Sequence, residues 1–171
     1  MKIVYLAAGI GQLKYKDVVY QDKFVERDIS GDMLEINLDP YDIIVATPPC
    51  NYYSRARGNR LSKYAEATKH LLPDILNILT LAEKPFIVEN VINRKRMSDI
   101  IVKYKNIYHE VGRHCYFTNI LCNLENIKQD FDFKYGGYLL VGRKNLQGGF
   151  HVQEILEKII DTYIKRVGVT E

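Results

Sequence analysis

Two short segments of this chain place reactive side chains at the ends of apolar runs. The first, Asp42-Ile-Ile-Val-Ala-Thr-Pro-Pro-Cys50-Asn-Tyr-Tyr-Ser54, delivers a thiol, and the second, Phe86-Ile-Val-Glu89-Asn90-Val91, delivers a carboxylate. Apolar runs that end in polar residues are expected where buried strands reach the rim of a parallel sheet. A thiol and a carboxylate meeting at such a rim could attack a pyrimidine ring and protonate it.

Pro48 and Pro49 withhold two backbone N–H donors and fix the chain, so the loop after the first run is stiff and presents Cys50 in one place. If a helix began just beyond, its N-terminal dipole, together with Arg55 or Arg57, would favour the thiolate, the nucleophilic form. The plainer alternative is a thiol that fills a small apolar gap. Glu89 ends a run in which a carboxylate is costly to bury unless it is hydrogen-bonded, protonated or employed, and there it would serve as a proton donor. Its plainer alternative is a strand-end carboxylate capping a neighbouring loop, with Asn90 as a turn residue. Glu89 follows Cys50 by 39 positions (89 − 50), room for one helical crossover to an adjacent parallel strand.

With 171 residues, 47% hydrophobic and 26% charged, the chain suits a single globular domain spanning 1–171. Its apolar runs are too short to cross a membrane, and Met1-Lys2-Ile3-Val4-Tyr5-Leu6 reads as a first strand and not a targeting segment. Cys50, Cys115 and Cys122 form no CxxC pair and the four histidines show no zinc spacing. Reduced thiols in a cytoplasm are therefore expected, with no metal. A net charge of +3 decides little, but its distribution is uneven: Arg55, Arg57, Arg60 and Lys63 follow the thiol segment, and Arg94-Lys95-Arg96 follows the carboxylate segment. Both clusters leave the expected sheet at the same rim, where they would hold phosphates or form a solvated face.

The elements that must position these groups alternate. Strands are predicted at 2–7, 17–21, 24–28, 42–47 and 85–89, with further extended pieces at 114–121 and 137–142. Helical spacing runs over 61–82, where Pro73 predicts a kink or a second start, then over 97–105 and 151–166. Gly136-Gly137 and Gly148-Gly149 predict turns, the second releasing the chain into the last helix. This rhythm predicts an α/β fold with a mostly parallel sheet.

Pro-Pro-Cys with Ser54 four residues on, Glu-Asn-Val about forty residues later, and Arg113-His114-Cys115-Tyr116-Phe117-Thr118-Asn119 resemble the motif series of DNA cytosine-5 methyltransferases. The likeness is greatest to the short forms of phages and other mobile elements, whose third segment reads roughly Arg-His-Arg-x-Phe-Glu-Thr-Asn. It covers about residues 30–168, with the last helix similar to the family's cofactor-proximal C-terminal motif. The resemblance implies a Rossmann-like S-adenosylmethionine-dependent methyltransferase fold. It also implies a DNA partner, as a duplex with a flipped cytosine or as a single strand, and host-cell cytoplasm as the setting if the chain is viral. Cys50 would add to C6 of cytosine, Glu89 would protonate or hydrogen-bond N3, Arg113 would hold the base or its phosphate, and C5 would take the methyl group. Gly9, Gly11, Asp22, Asp32 and Pro48 would contact the cofactor. Ser54, Arg55, Arg57, Arg60, Arg94 and Arg96 would contact nucleic acid. Protection of a mobile genome from host restriction is the biological setting implied.

Three departures accompany the likeness. The family's glycine-rich loop opens a full strand-helix-strand unit, whereas Ala8-Gly9-Ile10-Gly11 here runs almost directly into the next strand, so the N-terminal cofactor unit is abbreviated. Cys115 stands where the family usually has its second arginine, and a thiol offers neither charge nor a fork of donors. Residues 120–150 leave no room for a large target-recognition domain. Two rival readings stay open: an amino-methyltransferase built on Thr47-Pro48-Pro49-Cys50-Asn51-Tyr52-Tyr53, and a catalytically degenerate relative that binds nucleic acid or protein.

Overall fold

The computed structural model describes residues 1–54, 63–124 and 147–168. Its strands are β1 (Ile3–Leu6), β2 (Val18–Asp22), β3 (Ile29–Ser30), β4 (Ile43–Ala46), β5 (Phe86–Val91), β6 (Tyr108–Val111) and β7 (His114–Thr118). Its helices are α1 (Lys63–Thr68), α2 (Leu71–Leu81), α3 (Ser98–Lys103) and α4 (Gln147–Val167), with a 3-10 turn at Met33–Glu35. One seven-stranded sheet runs in the order β3-β2-β1-β4-β5-β7-β6. β3, β2, β1, β4 and β5 are parallel neighbours, while β7 runs antiparallel to β5 and β6 antiparallel to β7. The architecture is thus α/β with a mostly parallel, mixed sheet, compatible with a Rossmann-like fold.

Strand parity divides the interior into two layers. Ile3, Tyr5, Ile43, Val45, Ile87 and Tyr116 face α4, whose Ile155, Leu156, Ile159 and Ile160 pack on them. Val4, Leu6, Ile44, Ala46, Phe86, Val88, Cys115 and Phe117 face the other way, onto Leu72, Ile75, Leu76 and Leu79 of α2. β1 and β4 are buried along their whole length, as central strands covered on both faces must be. The chain leaves β1 toward β2 on one side and returns through β4 on the other. The carboxyl ends of β1 and β4 therefore flank a topological switch point, the place where open α/β sheets hold ligands.

Several sequence expectations need correction. The stretch 24–28 is not a strand: Asp22 Oδ1 accepts from the N–H groups of Phe24 and Val25 and bends the chain, so that β3 begins only at Ile29. The expected helix 61–82 divides at Lys69-His70, and Pro73 sits in the first turn of α2, where its missing N–H costs no intrahelical bond. Tyr108–Val111 is an additional strand, paired with β7 across the turn at Gly112-Arg113. Gly148 and Gly149 lie inside α4 rather than in a turn ahead of it. The expected strand at 137–142 and the turn at Gly136-Gly137 lie outside the described residues.

Residues 7–17 join the parallel strands β1 and β2 without a helix. A crossover of this kind normally carries one to cover the sheet face. Here α4 takes that place, held by Lys14 N–H on Glu157 Oε1 (2.7 Å), Lys14 Nζ on Asp161 Oδ2 (2.5 Å) and Tyr15 Oη on Asp161 Oδ1 (2.7 Å). Among the described residues no helix is long and apolar enough to cross a membrane. Leu76 is fully buried between α2 and the sheet. Leu76→Ala is expected to lower the unfolding free energy by about 2–5 kcal/mol, read as a lower urea midpoint at unchanged slope.

Candidate active site

Cys50 follows β4 directly, and Glu89 and Asn90 belong to the end of β5, its parallel neighbour. The register Ala46↔Val88 brings both rims level. The loop that carries Cys50 is closed on itself, with Cys50 O accepting the N–H groups of Tyr53 (3.0 Å) and Ser54 (2.8 Å). It is also held from the side by β5 and the turn that follows. Asn90 Nδ2 donates to Pro48 O (3.0 Å), Asn93 Nδ2 to Tyr53 O (3.0 Å) and Arg96 Nη1 to Tyr52 O (2.5 Å). Asn90 is buried because the prolines leave carbonyls that only an outside donor can satisfy.

Residues 51–53 form a turn, and Arg55 and Arg57 lie outside the described residues. Burial, and then the negative charge of Glu89, push the Cys50 thiol above the ordinary cysteine value. Cys115 is fully buried on the α2 side, where its Sγ donates to Asn90 O at 3.4 Å, and desolvation raises it strongly, so it is a structural thiol. Cys50, Cys115 and Cys122 are all free.

Glu89 is 8% exposed and faces the α4 layer. Its Oε1 lies 2.5 Å from Nδ1 of His114, a residue of β7 two pairs beyond the register Glu89↔Tyr116. Sequence reasoning singled out the neighbours Arg113 and Cys115 instead. Strand parity decides among the three: His114 shares the face of Tyr116 and Glu89, Cys115 points to the opposite face, and Arg113 is exposed in the β6–β7 turn. Two tyrosines share this layer, Tyr116 as the register partner of Glu89 and Tyr5 on β1. Burial pushes Tyr5 up to about 12 and Tyr116 well above its usual value, with the Glu89 charge adding to both.

A cleft of about 380 Å³ opens beside this rim, lined by Ala7, Gln21, Asp22, Phe24, Asp32 and Met33 on one side and Pro49, Tyr64, Thr68, His70 and Leu71 on the other. Asp22 and Asp32 both line this cleft. Asp22 accepts from Gly9 N–H (2.8 Å) as well as Phe24 and Val25. Burial tends to raise it, but these donors together hold it below the usual carboxylate range. Asp32, bonded by Leu34 N–H and Lys23, is likewise lowered. Two ionised acceptors amid apolar and aromatic walls suit a nucleoside-sized ligand with hydroxyl or amino donors.

Gly9 and Gly11 shape the β1–β2 loop without lining the cleft. Gly9 adopts φ +54°, and a Cβ on Gly11 would lie 2.9 Å from Ala8 O and 3.1 Å from Tyr5 Oη. Arg27 clamps this loop through Gly9 O (2.7 Å from Nε), and Ala7, itself at φ +51°, forms the cleft wall. Pro48 turns its carbonyl to Asn90, and its neighbour Pro49 meets the cleft instead.

Neither described arginine of the predicted nucleic-acid set is free. Arg94 forms a two-point pair with Glu110, and Arg96 braces Tyr52, its guanidinium 5.4 Å from the ring centroid. Ser54 is half-buried in the Cys50 loop. Arg55, Arg57 and Arg60 lie outside the described residues. Among the described residues no group of three His, Cys, Asp or Glu side chains could hold a metal.

No protein-family model matches the chain, and no curated protein is similar to it in sequence. The candidate site is therefore read from its chemistry. Because the Glu89 charge is one of the two causes that raise Cys50, Glu89→Gln should increase alkylation of Cys50 by iodoacetamide at pH 8, followed by mass spectrometry of the Cys50 peptide. An unchanged rate would show that burial alone sets the thiol.

Proposed function

We propose that this chain is a small DNA cytosine-5 methyltransferase, using a Rossmann-like S-adenosylmethionine-dependent fold whose N-terminal cofactor unit is abbreviated. The observation that carries the reading is the joining of Cys50 and Glu89 at one sheet rim, electrostatically coupled, beside a cleft with two ionised carboxylates. The sequence segments that bear these residues are the ones that resemble the family.

The cleft fits the proposed cofactor. Asp22, at the end of β2, would accept from ribose hydroxyls, while Asp32 and the walls of Phe24, Met33 and Leu71 would take the adenine. S-adenosylmethionine, when bound, supplies an electrophilic methyl group. Pro49 separates this cleft from Cys50, so the two ligands would approach each other at the end of β4.

The residues then act as follows. In the proposed reactive state the proton of the Cys50 thiol has passed to the Glu89 carboxylate, leaving the pair's one negative charge on sulfur. Cys50 Sγ bonds to C6 of cytosine while the carboxyl proton passes from Glu89 to N3, which makes C5 nucleophilic. After C5 is methylated, loss of its proton to a base and breakage of the S–C6 bond return the proton from N3 to Glu89 and release Cys50. A base stacked in a duplex cannot reach this rim, so the cytosine is flipped or single-stranded. Arg113, exposed in the β6–β7 turn, would meet a phosphate.

A reading as a binding module without catalysis draws on one observation, the helix-free β1–β2 connection. Incorporation of tritium from labelled S-adenosylmethionine into cytosine-containing DNA tests both. Transfer abolished by Cys50→Ser, with a covalent adduct on Cys50 when the DNA carries 5-fluorocytosine, is the expected result; no transfer and no calorimetric heat would leave the module. Phe24 lines the cleft yet is 74% exposed, so its removal spares the core. Phe24→Ala should weaken S-adenosylmethionine binding about 10-fold with an unchanged melting temperature.

A further inference from the structure

Glu89 has two oxygens and they are not equivalent. Oε1 faces Nδ1 of His114 at 2.5 Å, whereas among the described residues Oε2 accepts no hydrogen bond. His114 is three-quarters buried and Glu89 nine-tenths buried at the side-chain level. Among the described residues, His109 of β6 pairs with Tyr116 and so shares the sheet face of Glu89 and His114. Tyr116 and Tyr5 lie below with deprotonation strongly disfavoured, the Tyr116 hydroxyl is buried with no hydrogen-bond partner among the described residues, and Cys50 sits across the rim. Arg113, one residue away in sequence, is exposed in its turn.

We propose that His114 is the positioning residue of this site, donating from Nδ1–H to Glu89 Oε1 so that the acidic proton is confined to Oε2, the oxygen left to face a pyrimidine. The inference rests on the methyl-transfer reading above and adds to it a residue and an orientation. A carboxyl with no partner on either oxygen can place its proton on both and rotate. A neutral imidazole donating to Oε1 removes that freedom, because a second proton on Oε1 would meet the Nδ1–H. When thiolate addition makes N3 basic, the Oε2–H bond breaks and N3–H forms. The carboxylate left behind keeps the Nδ1–H hydrogen bond, now charge-assisted and therefore stronger. His114 neither gains nor loses a proton through this step.

A double-mutant cycle on the full chain tests this, with methyl transfer to DNA measured at saturating S-adenosylmethionine. His114→Ala is expected to lower kcat about 10- to 100-fold with KM for DNA changed less than about 2-fold, and His114→Asn, which retains an N–H donor, to recover most of the loss. In a Glu89→Gln background the same His114→Ala change should cost less than about 2-fold, because His114 acts through Glu89. Additive losses, or a loss confined to KM, would overturn the inference while leaving the methyltransferase reading in place. A wild-type chain with no methyl transfer would instead overturn that reading and the catalytic role of His114 with it. Nitrogen-15 NMR of the imidazole reads the pair without turnover: a proton on Nδ1 of His114, perturbed by Glu89→Gln, is expected, and a neutral ring protonated only on Nε2 would overturn the proposed donor.

Discussion

The Pro48-Pro49 pair is the constraint on which the site depends. Two prolines end the β4 ladder and leave carbonyls that the loop's own backbone cannot satisfy, and leaving such groups unpaired away from water costs about 1–3 kcal/mol each. Asn90, Asn93 and Arg96 answer Pro48, Tyr53 and Tyr52, so the loop bearing the thiol is fastened to the strand bearing the acid. Cys50 and Glu89 are then parts of one hydrogen-bonded unit. These three side chains come from the eight residues that begin at Glu89.

The same unit sets the electrostatics. Burial makes the Cys50 thiol a weak acid, and the Glu89 charge makes it weaker, so the resting protein holds a protonated and protected sulfur. Any event that neutralises Glu89 removes part of that opposition. Acid and nucleophile are thereby coupled through space, and Tyr5 and Tyr116 supply a floor that does not ionise in the working range. His114 brings a hydrogen bond to this floor without a permanent charge.

Economy of chain length shapes the other half of the molecule. The β1–β2 connection lacks a covering helix, and its residues are secured instead by long-range partners: Asp22 on Gly9, Arg27 on Gly9 O, and Glu157 and Asp161 of α4 on Lys14 and Tyr15. Gln21 contributes by accepting from Ala7 N–H and donating to Gly31 O, which ties the end of β1 to the loop after β3. These bonds hold Ala7 in its positive-φ conformation at the cleft wall and set Asp22 facing the ligand space.

Much of this was legible in one dimension. The continuous apolar runs of β1, β4 and β5 announce buried parallel strands, the Leu72, Ile75, Leu76 and Leu79 spacing announces α2, and the polar residues that end those runs mark the rim. Short elements escaped because two- and four-residue strands such as β3 and β6 carry too little pattern, and Asp22 bends a segment whose composition favours extension. Charge runs carry less: Arg94 and Arg96 are cationic in any context, but that Arg94 pairs with Glu110 and Arg96 braces Tyr52 is set by the fold. The sequence by itself determined which residue types end each buried strand, since burial periodicity is a local property. Only the tertiary structure decided that His114, and not Arg113 or Cys115, meets Glu89, because strand register assigns alternate residues to opposite faces and a shift of one position exchanges them.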